Sequence, residues 1–180
     1  MKLTGIILAG GLSSRMGQDK GLILYKDQAL VQYSIAALEP LCSEILISTN
    51  NPEYKKFGYS LVPDIYKECG PIGGIYSALR VSQHDNNLIC PCDMPFVTPE
   101  LFHQILDEIE KDETPVVASS NDKAFPTLGY YHRNSVTSIE KQIKKGHYKL
   151  MMLLIELKAK QICIEDQMCL SNFNYLEDLM

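Results

Sequence analysis

Short apolar runs alternate with helix-like segments along the first two thirds of the chain. Residues 3–9 form an almost continuous apolar run that ends at two glycines, which is typical of a strand buried on both faces. Further strands are predicted at residues 44–49, 61–62, 87–92, 115–119, 128–133 and 161–164. We expect the run at 87–92 to end as a strand near Cys90, because Pro91 has no N–H to donate to a neighbouring strand.

Helices are predicted between the strands by apolar positions three and four residues apart. They fall at residues 29–41, 52–57 and 72–81, after Thr98-Pro99-Glu100, between Asn134 and Gly146, and at residues 150–157. Strands that alternate with helices predict an α/β fold with a mostly parallel central sheet and helices on both faces. No repeat or linker interrupts the 180 residues, so residues 1–180 are predicted to form a single domain.

Composition narrows the class of protein. The chain is 46% hydrophobic and 22% charged, as in ordinary globular proteins, and its apolar runs are far shorter than the ~20 residues that cross a bilayer. The sequence starts without a signal-peptide pattern, so we expect a cytoplasmic protein with no membrane partner. The net charge is -5, which disfavours a nucleic-acid partner. Six cysteines without C-x-x-C spacing are best explained as small buried apolar residues.

The strand ends indicate where a ligand would bind. In parallel α/β sheets, ligands bind beyond the carboxyl ends of the strands. Three such ends carry chemically useful residues: the Gly10-Gly11 pair, Asp64 and Asp93. These three positions are therefore the candidate site.

The glycine-rich segment at residues 8–20 fits neither G-x-G-x-x-G nor the Walker spacing. Glycines nevertheless let the backbone approach a ligand closely, and successive N–H groups can bind an anion. Ser13 and Ser14 add donors, while Arg15 and Lys20 add two positive charges suited to phosphate. The alternative is a glycine turn followed by a solvated basic loop.

Each of the two strand-end aspartates could bind a ligand or have an ordinary structural role. Asp93 is a natural Mg²⁺ ligand, because Mg²⁺ prefers one or two carboxylates together with substrate phosphates, but it could also be a helix cap or a surface acid. Asp64 could simply belong to a turn. Gly73 and Gly74 either let the backbone pass close to a nucleotide or allow close packing of a helix start.

The segment at residues 8–20 resembles the signature L-A-G-G-x-S-x-R-M-G-x-D-K of the molybdenum cofactor guanylyltransferases at every fixed position. Residues 70–75 resemble that family's G-P-L-x-G-I, residues 92–96 its C-D-M-P-F, and residues 172–179 its N-x-N-T-P-E-D-L. Tyr175-Leu176 stands where the family has Thr-Pro. The resemblance covers the whole chain and implies a three-layer, Rossmann-like nucleotidyltransferase fold.

The resemblance also implies roles for individual residues. It implies nucleotide binding by Leu8, Ala9, Gly10, Gly11, Ser13, Lys20, Asp64, Gly73 and Asp93. It implies catalytic roles for Arg15, Lys20 and Asp93, with Asp93 as the magnesium ligand. Asn172 and Asn174 would contact the pterin, unless the tail simply packs on the sheet.

The reaction implied by the resemblance transfers GMP from GTP to molybdenum-loaded molybdopterin, with release of pyrophosphate. Molybdopterin-handling proteins and apo-molybdoenzymes would be its protein partners. The alternatives are a related nucleotidyltransferase, transferring a cytidylyl group to molybdopterin or a nucleotidyl group to a sugar phosphate, and a non-catalytic GTP-binding module. Intact Lys20 and Asp93 favour an enzyme over a silent module.

Overall fold

The computed structural model describes residues 1–10, 19–110, 113–121 and 123–173. The strands are β1 Leu3–Leu8, β2 Leu24–Tyr25, β3 Gln28–Ala29, β4 Glu44–Ser48, β5 Ser60–Val62, β6 Asn86–Pro91, β7 Val116–Ser120, β8 Lys123–His132 and β9 Lys160–Cys163. The α-helices are α1 Leu30–Leu38, α2 Pro71–Val81, α3 Pro99–Asp107, α4 Ser135–Lys144 and α5 Leu150–Glu156. Short 3-10 helices cover Lys20–Leu22, Pro52–Phe57 and Gln167–Leu170. Within these ranges no helix has the length and apolar character needed to cross a membrane.

Seven strands form one sheet in the order β5-β4-β1-β6-β8-β7-β9. Strands β5, β4, β1 and β6 pair in parallel, β8 runs antiparallel to both of its neighbours, and β9 is parallel to β7. Six strands therefore share one direction, which confirms the predicted mostly parallel sheet. The carboxyl ends of the four parallel strands β5, β4, β1 and β6 consequently meet at one edge.

The sheet is covered on both faces, as predicted. Along β1, Ile7 packs in a cluster with α1 and α3, while Ile6 and Leu8 pack in a second cluster with α2, α4 and α5. Successive strand residues point to opposite faces, so a strand between two helical layers needs apolar residues at nearly every position. The three-layer architecture follows directly from that pattern.

Strand β6 extends one residue further than the sequence predicts. Pro91 is paired with Leu8 of β1, whereas the sequence predicts that the strand ends near Cys90. The Cys92 N–H donates to the Leu8 carbonyl of β1 at 3.1 Å. The nitrogen of Pro91, which carries no hydrogen, therefore faces the β8 side of the strand. Pairing with β8 has already ended at Ile89 on that side, and the missing donor therefore costs no sheet hydrogen bond.

The β2–β3 hairpin is an element that the periodicity does not predict. Its two strands have two residues each, and the turn between them places Lys26 and Asp27 at positive φ of 47° and 64°. Such turns usually carry Asn-Gly or Asp-Gly, so Lys-Asp is a weak signal in the sequence.

Thr98 and Asn134 do occupy the predicted N-cap positions of α3 and α4, but neither side chain makes a capping hydrogen bond.

Candidate nucleotide site

The carboxyl edge of the sheet brings together the strand ends that the sequence singles out. The Ala9 N–H donates to the Ser48 carbonyl at 2.9 Å, and the Thr49 N–H donates to the Val62 carbonyl at 3.0 Å. These bonds join β1 to β4 and β4 to β5 just beyond the ends of the strands. Gly10 follows β1 and Asp64 follows β5, so both lie at the same edge of the sheet. Gly10 is exposed there, whereas Leu8 and Ala9 are buried.

Lys20 and Asp93 form an ion pair at this edge. The Lys20 Nζ lies 3.1 Å from the Asp93 Oδ2, and the two side chains retain only 24% and 16% of their exposed surface. Lys20 is the last residue of the glycine-rich segment and the first of the 3-10 helix, and Asp93 follows β6, so the two are 73 positions apart in the sequence. Restricted contact with water strengthens such an interaction relative to a fully solvated pair.

Asp19, the residue before Lys20, is held by three hydrogen bonds. Its carboxylate accepts from the Tyr54 hydroxyl at 2.5 Å, the Asn51 side-chain amide at 3.0 Å and the Gly21 N–H at 3.3 Å. The sequence pattern indicates no role for Asp19 beyond its place in the signature, and none for Tyr54 or Asn51. An aspartate two residues before a glycine is a common turn signal, but the turn alone does not identify distant partners.

Asp64 is held by Asn50 through a reciprocal pair of hydrogen bonds. The Asn50 amide donates to the Asp64 Oδ2, and the Asp64 N–H donates to the Asn50 Oδ1, both at 3.0 Å. Asp64 is half-buried, so its carboxylate is fixed and still reachable from the edge.

The glycines at the start of α2 fit tightly against this edge. A Cβ on Gly74 would lie 2.8 Å from the Ser48 Oγ, and one on Gly73 would lie 2.8 Å from the Tyr66 carbonyl. Close packing therefore accounts for both glycines. A nucleotide contact by Gly73 stays a prediction.

The C-terminal segment returns to Asp93. The Phe173 N–H donates to the Asp93 carbonyl at 2.8 Å, and the Phe173 ring packs edge-on against Phe96 and Tyr25, with ring centres 5.7 and 5.0 Å apart. Asn172 is exposed beside this bond. The predicted contact residues Gly11, Ser13, Arg15 and Asn174, and the Tyr175-Leu176 departure, lie outside the described residues.

Burial makes the two thiols beneath the site, Cys90 and Cys92, weak nucleophiles. Burial, and then the charge of Asp93, raise the pKa of Cys92 well above its ordinary value, and burial raises the pKa of Cys90 to about 12. Both therefore remain protonated near neutral pH, and thiolate is the reactive form.

The carboxylate of Asp93 could bind a divalent cation at this edge. Among the described residues, no three His, Cys, Asp or Glu side chains are grouped closely enough to bind a metal by themselves. A single carboxylate at the mouth of the sheet nevertheless fits Mg²⁺, which commonly takes its remaining ligands from substrate phosphates and water.

Comparison with protein families gives a match over most of the chain. The sequence profile of the MobA-like NTP transferase domain matches residues 5–161. A protein of Flavobacterium johnsoniae, named as a probable molybdenum cofactor guanylyltransferase, is 33% identical over 179 residues, which cover 98% of this chain and 94% of that relative. A molybdenum cofactor guanylyltransferase of Vibrio parahaemolyticus is 32% identical over 179 residues, covering 97% and 91%.

Solved structures show the same fold. The molybdopterin-guanine dinucleotide biosynthesis protein A of Archaeoglobus fulgidus superposes with a TM-score of 0.82 at 23% identity, over 98% of this chain and 94% of that one. This similarity confirms the nucleotidyltransferase-like fold that the sequence predicts.

Proposed function

The chain belongs to the MobA-like NTP transferase family, and on that premise we propose that it transfers GMP from GTP to molybdenum-loaded molybdopterin. The products would be the guanine dinucleotide form of the cofactor and pyrophosphate. The relatives named as molybdenum cofactor guanylyltransferases support this choice of substrates, since they match the chain almost from end to end.

The observation that carries the proposal is the Lys20–Asp93 pair at the carboxyl edge. The attacking group is a phosphate oxygen that is already anionic, so the reaction needs no strong base. Its difficulty is the approach of two polyanions, because like unit charges about 4 Å apart repel by about 4 kcal/mol at an effective dielectric of 20. A cation and a metal-binding carboxylate side by side address that difficulty.

The pair can exchange its partners when substrate arrives. Lys20 and Asp93 form an ion pair with each other, at 3.1 Å. With GTP bound, Lys20 would turn to the triphosphate and stabilise charge on the departing pyrophosphate. Asp93 would hold Mg²⁺, which would supply positive charge to offset the repulsion between the phosphate groups.

The remaining predicted residues would position the two substrates. Arg15, with the Gly10, Gly11 and Ser13 segment, would bind phosphate, while Leu8, Ala9, Asp64 and Gly73 would line the nucleotide. Asn50 would keep the Asp64 carboxylate oriented toward the base or ribose. Asn172 and Asn174 would contact the pterin, supported by the return of Phe173 to Asp93.

We also propose that residues 1–180 act as one domain in the cytoplasm. One sheet takes its strands from Leu3 to Cys163, and all six cysteines are free thiols, as in a reducing compartment. Molybdopterin-handling proteins and apo-molybdoenzymes are the expected protein partners.

Pyrophosphate release with each nucleoside triphosphate in turn, with and without molybdenum-loaded molybdopterin, tests the function. We expect release with GTP only when the acceptor and Mg²⁺ are present. Release with CTP, or with a sugar phosphate as acceptor, would identify a different nucleotidyltransferase. GTP binding without release under any acceptor would identify a binding module.

A further inference from the structure

Tyr54 is a buried tyrosine that belongs to none of the nucleotide motifs. It lies in the 3-10 helix Pro52–Phe57, and its side chain has no exposed surface. Its hydroxyl nevertheless lies between the two segments that carry Lys20 and Asp93. The contacts of the hydroxyl with each segment explain how it could influence the positions of both Lys20 and Asp93.

On the first side, the hydroxyl anchors the residue before Lys20. The Tyr54 hydroxyl donates to the Asp19 Oδ1 at 2.5 Å, while the Asn51 amide donates to the Asp19 Oδ2 at 3.0 Å. The two carboxylate oxygens are therefore held separately, and rotation of the Asp19 side chain would break both bonds.

On the second side, the hydroxyl packs beside the residue before Asp93. A Cβ on Gly21 would overlap the Tyr54 hydroxyl and lie 3.1 Å from the Cys92 Sγ, so both atoms close around the same glycine. Cys92 is buried, and its N–H is bonded to β1 through the Leu8 carbonyl. Tyr54 and Cys92 therefore enclose the chain just after Lys20.

The hydroxyl keeps its proton under working conditions. Burial, followed by the neighbouring Cys92 and Asp19, raises the pKa of Tyr54 far above its ordinary value. It therefore remains a hydrogen-bond donor to the Asp19 carboxylate.

We propose that Tyr54 is a positioning residue that sets the spacing of Lys20 and Asp93 by holding Asp19 and packing against Cys92. Its effect on turnover rests on the proposed nucleotidyl transfer, in which those two side chains act on phosphate and metal. Catalytic geometry is sensitive to shifts of about 1 Å, which can cost about 10²-fold in rate.

Tyr54→Phe isolates the hydroxyl, because the ring and its packing remain. Tyr130→Phe is the matched control. Its side chain is also fully buried, and its hydroxyl donates to the Asn86 side chain at 2.8 Å, at the opposite edge of the sheet. Both variants lose one hydroxyl that bonds a neighbouring side chain, but only the first loses it at the site.

Hydrogen exchange measures the anchoring without any substrate. The Gly21 N–H donates to Asp19, so we expect peptides that cover residues 19–23 to exchange about 10-fold faster in Tyr54→Phe and unchanged in Tyr130→Phe. Equal exchange at residues 19–23 in Tyr54→Phe and the parent protein would overturn the proposal.

A double-mutant cycle measures the catalytic consequence. We expect Tyr54→Phe to lower kcat for pyrophosphate release about 10- to 100-fold, with KM for GTP changed less than threefold. In a Lys20→Ala background the same change should lower kcat less than twofold, because the hydroxyl acts through Lys20. Full additivity of the two effects would show a merely structural role and would refute positioning.

Asn51→Asp keeps the test decisive if Tyr54→Phe loses its fold. The aspartate preserves the acceptor for the Glu53 N–H but replaces the amide donor opposite Asp19 with a second carboxylate. Repulsion between the two carboxylates should rotate Asp19 away from the Tyr54 hydroxyl and speed exchange at residues 19–23 in the same way. Unchanged exchange would refute anchoring through Asp19. If the parent protein released no pyrophosphate with any nucleotide, the proposed function would fail, while the exchange result would still decide the anchoring.

Discussion

The two edges of the central sheet both carry ion pairs, but water reaches them very differently. At the carboxyl edge, Lys20 and Asp93 keep 24% and 16% of their side-chain exposure. At the amino edge, Lys160 keeps 37%, and its partners Glu108 and Glu110 keep 46% and 66%. Solvent reduces the contribution of an exposed ion pair to stability to at most about 1 kcal/mol. A partly buried pair loses hydration, and its attraction offsets that loss only if neighbouring residues hold the two charges in a good geometry.

The supporting residues explain this difference. The carboxyl-edge pair follows directly on Asp19 and Cys92, which are in contact with the buried Tyr54. The amino-edge pair joins the end of α3 to the start of β9, and its carboxylates stand on the surface. Oppositely charged neighbours alone therefore do not identify a site in this fold. Support from buried polar neighbours distinguishes the Lys20–Asp93 pair, for which we propose a ligand, from the pairs of Lys160.

Asp93→Ala should give the largest effect. The change removes the only carboxylate proposed for Mg²⁺ and abolishes the Lys20–Asp93 ion pair. We expect Mg²⁺-dependent pyrophosphate release to fall by about 10³-fold or more. A magnesium titration at saturating GTP measures this, and a titration like that of the parent protein would exclude Asp93 as the metal ligand.

Lys20→Ala should have the next largest effect. Loss of a preorganised cation facing the departing pyrophosphate should lower kcat by about 10²- to 10³-fold, while circular dichroism shows an intact fold. Steady-state kinetics with GTP and the pterin acceptor measure it. Turnover near that of the parent protein would contradict the phosphate role of Lys20.

Lys160→Ala is the matched lysine substitution at the other edge. Its two ion pairs lie far from the proposed chemistry, so kcat and KM for GTP should stay within about twofold of the parent values. The same kinetic assay applies. A loss of turnover comparable to that of Lys20→Ala would contradict the comparison, because the exposed Lys160 pairs would then matter for turnover as much as the partly buried Lys20–Asp93 pair.

The pH dependence of stability should show the smallest effect. Hydrogen bonds with Glu108 and then Glu110 raise the pKa of Lys160 above its ordinary value of 10.5. A raised pKa in the folded state stabilises the protein fully below pH 10.5, and this contribution disappears as the pH rises through the folded pKa. Urea midpoints of the parent and Lys160→Ala proteins should therefore differ below pH 10.5 and converge above it. A difference that stays constant up to pH 11.5 would rule out this contribution.

Local patterns were sufficient to predict most of the architecture. Alternation of short apolar runs with helical spacing predicts the layers, because a strand between two helical layers must be apolar on both faces. The run at residues 3–9 and the helix after Thr98-Pro99-Glu100 are confirmed nearly to the residue. The hairpin at Lys26-Asp27 could not be predicted in this way, because its strands are too short to show a period.

The sequence by itself determined that Gly10, Asp64 and Asp93 stand at strand ends, since each follows an apolar run whose length and composition are local properties. Only the tertiary structure decided that Lys20 meets Asp93, that Tyr54 joins the residues before both, and that β8 runs against its neighbours. The Tyr54–Asp19 and Lys20–Asp93 contacts link residues that are 35 and 73 positions apart. Such pairings depend on the order of strands in the sheet and on how loops close over its edge, which no local period encodes.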